Sequence, residues 1–252
     1  MYMKVLGVIP ARYASSRFPG KPLVDIAGKS MIQRVYEQVL KAPNVHQAVV
    51  ATDDQRIFDH CKALNIEVTM TDSTHQSGTD RCAEVAQKMQ EFDIIINIQG
   101  DEPFIQPSQI EKVVQPFFEK NDMQITTLAK QITTIDALFN PNTVKVVLGA
   151  AGHALYFSRS AIPHQRGTER KLWLSKGPFF KHLGIYGFRR NTLLAVAKLP
   201  IGLLEQRESL EQLRWLEQGV PIFVGITTQE ALGIDTPADL EHALSYLQNN
   251  KS

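Results

Sequence analysis

Three cations, Arg12, Arg17 and Lys21, fall within one short stretch, IPARYASSRFPGKPL (9–23), that also holds three prolines from Pro10 to Pro22 and one glycine, Gly20. Arginine offers forked donors to phosphate oxygens and lysine a mobile point charge, so the stretch is chemically suited to a polyphosphate. Gly20 permits close approach of backbone to a ligand, and the prolines restrict the loop before anything binds. It is not a Walker A loop, because Ser15 stands at the first glycine position and Pro22 follows the lysine; no GxGxxG fingerprint occurs either. A solvated turn with scattered cations would have the same composition. Two aspartates stand at positions where carboxylates can meet a ligand. Asp101 follows Gln99-Gly100 just past an apolar run, and Asp235 precedes Thr236-Pro237-Ala238-Asp239, a helix-start pattern that also suits a simple cap.

These residues need a frame. The stretch follows Val5–Ile9, the first of several β-branched runs that continue at Ala48–Ala51, Glu67–Met70 and Ile94–Ile98. Between them, apolar residues recur with helical spacing: Met31, Val35 and Val39; Ile57, Cys61 and Leu64; Cys82, Val85 and Met89. Strands alternating with such helices predict βαβ units and an α/β fold with a mostly parallel, Rossmann-like sheet flanked by helices. IIINI is apolar at nearly every position, as a central strand covered on both faces requires. A cationic loop after the first strand then lies where open α/β sheets place ligands. Later strands are expected at Ile125–Ala129, Val144–Leu148, Ala154–Phe157, Leu183–Phe188 and Pro221–Ile226. Later helices are expected at Ser108–Lys120, Glu208–Glu217 and Pro237–Gln248.

The 252 residues are 43% hydrophobic and 21% charged, ordinary for a soluble protein, and read as one domain spanning 1–252. A net charge of +1 argues against a chain-wide field for nucleic acid or membrane, so basic sites are local. One such region is 159–190, where eight cations against the single acid Glu169 make +7. It reads as a lid-like or sugar-facing segment. Two cysteines, Cys61 and Cys82, are too few for a disulfide framework and lack metal-ligand spacing. No secretory signal or membrane-spanning run is visible, and reduced thiols fit a cytoplasmic location without membrane insertion.

The 9–23 stretch closely resembles the signature loop of the CMP-sugar synthetases, and within that group the 3-deoxy-manno-octulosonate (Kdo) cytidylyltransferase family. The resemblance continues through VATDD (50–54), HQSGTDR (75–81), NIQGDEP (97–103), FNPNTVKVV (139–147), ALYFSRSAIP (154–163), KHLGIYGFR (181–189), LEQLR (210–214) and GIDTPADL (233–240), covering nearly the whole chain in one order. It implies a nucleotidyltransferase fold, Mg²⁺ dependence, a homodimer, and the reaction of CTP with Kdo to give CMP-Kdo and pyrophosphate for lipopolysaccharide synthesis. By resemblance, Arg12, Arg17 and Lys21 hold the triphosphate, and the backbone at Pro10 and Ala11 approaches the nucleotide. Ser77, Gly78, Arg81 and Gln99 face base and ribose, with Arg81 donating to the pyrimidine carbonyl. Asp101 and Asp235 pair around the metal and, with Lys21, carry the catalysis. Gln99, Arg159, His182, Tyr186, Glu211 and Gln212 face the sugar acid, with His182 donating to its carboxylate. The segment 161–180 matches the family poorly, and Ser16, Phe18 and Ala231-Leu232 depart from its usual residues. A cytidylyltransferase for 8-amino-Kdo or a sialic acid, and a catalytically silent CTP sensor, are the competing readings. A nucleic-acid-binding module built on the basic segment is not expected, because the chain as a whole lacks a basic charge.

Overall fold

The computed structural model describes residues 3–14 and 18–249. Arg17 of the cationic stretch lies outside the described residues. Helices are placed by their caps and apolar stripes. Ser30 caps α1 (Met31–Leu40), Asp54 caps α2 (Gln55–Ala63), and Ser77 with Asp80 forms a capping box on α3 (Gly78–Lys88). Pro107 opens α4 (Pro107–Glu119), and Thr134 caps α5 (Ile135–Phe139).

Between these lie β1 (Val5–Ala11), the small pair β2 (Asp25–Ile26) and β3 (Lys29–Ser30), β4 (Gln47–Thr52), β5 (Val68–Met70), β6 (Ile94–Asn97) and β7 (Ile125–Gln131). The second half adds β8 (Lys145–Leu148), β9 (Ala154–Ser158), β10 (Phe180–Arg189), α6 (Arg190–Val196), α7 (Leu203–Glu208), α8 (Gln212–Glu217), β11 (Ile222–Thr227) and α9 (Pro237–Asn249).

The described residues form a nine-stranded sheet whose main path runs β11-β7-β10-β6-β1-β4-β5, with β8 and β9 extending from β10. Along that path β10 alone runs antiparallel to its neighbours β6 and β7. The sheet is therefore mixed α/β and mostly parallel, as the alternating pattern predicts. The apolar run at 94–98 is central. On β6, Ile94 and Ile96 pack with α1 and α4 residues such as Val35 and Val113, while Ile95 packs on the other face with Cys82 and Val85 of α3. After β1 the chain first adds β4 and β5 on one side and then places β6 on the other. This reversal opens a crevice at the carboxyl ends of β1 and β6, the place where such sheets bind ligands.

One expected helix is shorter than the 208–217 pattern. Only Gln212–Glu217 forms α8; Glu208 instead ends α7, and Ser209, whose φ of 51° is left-handed, makes the corner between the two. Tertiary hydrogen bonds override local propensity here. The Glu208 carboxylate accepts from the Ser158 hydroxyl at 2.6 Å and from the Arg159 backbone at 2.9 Å, and the Arg159 side chain takes the carbonyls of Glu208 (2.7 Å) and Ser209 (3.3 Å). The corner turns Glu211 and Gln212 toward the interior, and Gln212 is buried. Within the basic segment, Trp173 and Phe179 pack with Ile132 and Leu138 in a small core of their own.

Candidate active site

Strand pairing alone brings the first pieces together. β1 and β6 run side by side, with Val8 opposite Asn97, so Arg12 and Gln99–Asp101 leave the sheet at neighbouring points. Gly100 allows the contact. A Cβ there would stand 2.8 Å from the Pro10 carbonyl oxygen, closer than such atoms come. The cationic loop returns to this point through a left-handed turn at Gly20 (φ 71°), whose N–H donates to the Tyr13 carbonyl at 3.0 Å. The Tyr13 ring packs against that turn, and the Arg56 guanidinium covers the ring at 3.2 Å.

Lys21 then reaches two carboxylates at once. Its Nζ donates to Asp101 Oδ2 at 2.8 Å and to Asp235 Oδ1 at 3.0 Å, across 80 and 214 residues of sequence. Asp235 is held there by the backbone, because the Ile234 N–H donates to the Asp101 carbonyl at 2.9 Å. The start of α9 is capped by Thr236 and Asp239, whose carboxylate accepts from the backbones of Asp235 and Thr236. Burial acts to lower the Lys21 pKa, but Asp101 and Asp235 more than reverse it, so the ammonium is held charged with a raised pKa. Two carboxylates converging on one cation are also a donor set that suits Mg²⁺, which takes one or two carboxylates plus substrate phosphates and water. Among the described residues no three or more His, Cys, Asp or Glu side chains form a metal cage.

The crevice is a cleft of about 440 Å³ lined by Pro10, Ala11, Arg12, Lys21, Gly78, Gln99 and Asp101, among others. Arg12 is fixed over the start of α3 by its guanidinium, which donates to the carbonyls of His75 and Ser77. Burial, and then the neighbouring Arg81, lower its pKa. Ser77 faces the same end of α3, where its hydroxyl accepts from the Asp80 backbone at 3.1 Å. Gln99 donates to the Gly184 carbonyl at 2.9 Å, tying β6 to the irregular middle of β10.

Arg81 lies on α3. It is fully buried, and its terminal nitrogens bond Thr71 (2.6 Å), the Asp72 carbonyl (3.4 Å) and Asp53 (2.7 Å). The ion pair with Asp53, just after β4, holds the guanidinium in place.

The sugar-side candidates form a second group. Tyr186 lies directly across from Asn97, packed edge-on against Trp215. Glu211 accepts from the Thr79 hydroxyl at 2.8 Å, which joins the corner before α8 to the first turn of α3. Burial raises the Glu211 pKa, and burial raises that of Tyr186 as well. His182 is half-buried with its ring edge-on to Phe157, and its Nε2 lies 3.0 Å from the Thr127 hydroxyl. That hydroxyl also lies within hydrogen-bond reach of the Leu183 and Ile185 carbonyls, at 3.1 and 2.8 Å. Burial pushes the imidazole down to about 3. Arg159 makes three of its guanidinium bonds to carbonyls, those of Glu208, Ser209 and Pro141. It both supports the corner and carries charge beside it.

Sequence reading passed over Lys145. Its ammonium is fully buried and donates to the carbonyls of Asn140 (3.0 Å), Thr143 (2.5 Å) and Arg159. Burial lowers its pKa, with Glu208 opposing. Lys145→Met strips the ammonium partner from three carbonyls, that of Thr143 buried and those of Asn140 and Arg159 part-buried. Chemical denaturation should show a loss of about 3 kcal/mol; a loss below about 1 kcal/mol would remove Lys145 as the tie between 140–143 and 159.

Comparison with known proteins identifies the family. The family model for cytidylyltransferases matches residues 6–222. A Parabacteroides distasonis protein named 3-deoxy-manno-octulosonate cytidylyltransferase is 54% identical over 98% of this chain and 99% of its own length. The chain belongs to the Kdo cytidylyltransferase family. A second family member, from Bacteroides thetaiotaomicron, is 52% identical over 98% of this chain and 99% of its own. The solved structure of a CMP:2-keto-3-deoxy-manno-octonic acid synthetase complexed with CTP superimposes with a TM-score of 0.91 at 44% identity, covering 98% of this chain and 99% of that one. In this Kdo cytidylyltransferase the crevice at β1 and β6 is lined by Arg12, Lys21 and Asp101, and Asp235 joins it through its bond to Lys21.

Proposed function

We propose that the chain transfers CMP from CTP to the anomeric hydroxyl of Kdo, releasing pyrophosphate and giving CMP-Kdo for lipopolysaccharide synthesis. The observation that carries this reading is the contact of Lys21 with both Asp101 and Asp235 at the lip of the crevice, in a chain of this family. In the reaction the hydroxyl oxygen bonds to the α-phosphorus as the bond to the departing pyrophosphate oxygen breaks, so positioning and charge neutralisation dominate. Arg12, Arg17 and Lys21 hold the triphosphate. The backbone of Pro10 and Ala11, with Ser77, Gly78 and Gln99, faces the nucleoside. Asp101 and Asp235 hold Mg²⁺, which when bound offsets charge on the α-phosphate and makes the attacking hydroxyl more acidic. In the free protein Lys21 offsets one of the two carboxylate charges, and on nucleotide binding it is within reach of the phosphates.

The sugar acid is received by Gln99, Arg159, His182, Tyr186, Glu211 and Gln212, and the +7 charge of 159–190 draws its carboxylate in. The 252 residues act as one domain. The exposed apolar side chains Leu155, Ile201 and Leu203 suit burial in a homodimer, which light scattering would report as twice the 28.3 kDa chain mass. Both cysteines are buried and unpaired, and no described helix is long and apolar enough to cross a membrane, features that support action in the cytoplasm.

The test is pyrophosphate release from CTP and Mg²⁺ with Kdo, 8-amino-Kdo and sialic acid offered separately. Release that requires Kdo is the expected result. Preference for the 8-amino sugar would keep the chemistry and change the substrate, and CTP binding without release on any sugar would overturn the catalytic reading.

A further inference from the structure

Asn97 closes β6, and it is the one polar side chain in a strand whose other members, Ile94, Ile95 and Ile96, are fully buried. It is 5% exposed, yet its Oδ1 has no hydrogen-bond partner. Buried polar atoms are almost always paired, and an unpaired acceptor destabilises the fold. Strand alternation puts the side chain on the face of Ile95, toward α3. There its Nδ2 stands 3.6 Å from the point a Cβ of Gly78 would occupy, and Pro10 Cγ stands 3.4 Å from the same point. The missing side chain of Gly78 thus leaves a gap beside the amide. Across the strand pair is Tyr186, equally buried, whose hydroxyl also lacks a partner of hydrogen-bond geometry.

The amide therefore sits between the nucleotide wall, Pro10 and Gly78, and the sugar-side residue Tyr186. We infer that Asn97 is a ligand-contacting residue reserved for a sugar hydroxyl at the junction of the two substrate sites, on the ribose of CTP or on the sugar acid. A hydroxyl is the matching chemistry because it both donates and accepts, as the amide does; a phosphate or carboxylate could not donate to Oδ1. A half-turn of the amide about its last torsion presents either end to the gap. The inference rests on the function proposed above.

The experiment is Asn97→Leu, which keeps the branching at Cγ and removes both polar atoms. Replacing an unpaired buried amide by an apolar group should raise Tm by about 2–4 °C. Over the same substitution, kcat/KM for CMP-Kdo formation should fall by about tenfold to a hundredfold. A structural residue would move both quantities downward together. A KM rise confined to CTP places the hydroxyl on the ribose, and one confined to Kdo places it on the sugar acid. Asn97→Ala serves as the second variant, since it removes the amide without adding bulk. Activity within twofold of wild type in either variant overturns the inference, as does a loss that tracks a fall in Tm in both. Wild-type protein is assayed first, so that absence of CMP-Kdo formation is charged to the functional reading, while the direction of the Tm change still reports on Asn97.

Discussion

Asp101→Asn is expected to lower turnover by about 10³-fold while leaving the fold in place. The substitution keeps the size and shape of the side chain and removes one of the two negative charges that meet at Lys21 Nζ. The ion pair itself is partly solvated, with Asp101 about one-third exposed, so its direct contribution to stability is at most about 1 kcal/mol. A thermal melt should therefore stay within about 4 °C of wild type. Asp235→Asn should behave alike, because the backbone bond from Ile234 to Asp101 and the Thr236–Asp239 cap hold the segment without its carboxylate. The double variant should cost little more than either single one, as expected for two ligands of one ion. Near wild-type turnover at saturating Mg²⁺ would sink the metal assignment.

Lys21→Met should cost turnover by about 10²- to 10³-fold through loss of a phosphate-facing cation. It should also produce an effect of opposite sign. With its side chain 13% exposed, Lys21 lies against both carboxylates in the free protein and competes with any divalent cation for them. Without it, two like charges face each other across a small gap, and affinity for Mg²⁺ in the absence of nucleotide should rise by about tenfold or more. Calorimetric titration of the nucleotide-free protein reads this directly. Weaker turnover together with unchanged Mg²⁺ affinity would mean that the ammonium does not occupy the metal position, and the shared site would have to be abandoned.

Much of this arrangement was legible in the residues themselves because it depends on local rules. The cationic loop after β1, the helical spacing of Met31, Val35 and Val39, and the buried run at 94–96 follow from periodicity and from the chemistry of each side chain. The family resemblance added the pairing of Asp101 with Asp235, which no spacing rule supplies across 133 intervening positions. Folding then altered several readings. The expected helix at 208–217 lost its first turn, since Glu208 is bonded by Ser158 and Arg159, about fifty residues away. Arg81 is a nucleotide-facing residue by resemblance, and folding adds a bond to Asp53, just after β4, that no spacing rule foretells.

The sequence by itself determined the alternation of strands and helices, the cation set and the family, because these depend on residue type and near neighbours. Only the tertiary structure decided which charges meet, which are enclosed, and which polar atoms lack partners. Lys21 between its two aspartates, Lys145 among three carbonyls and the unpaired Asn97 amide are all consequences of long-range placement. Hydrogen bonding and burial depend on distance in space, and distance along the chain does not encode it.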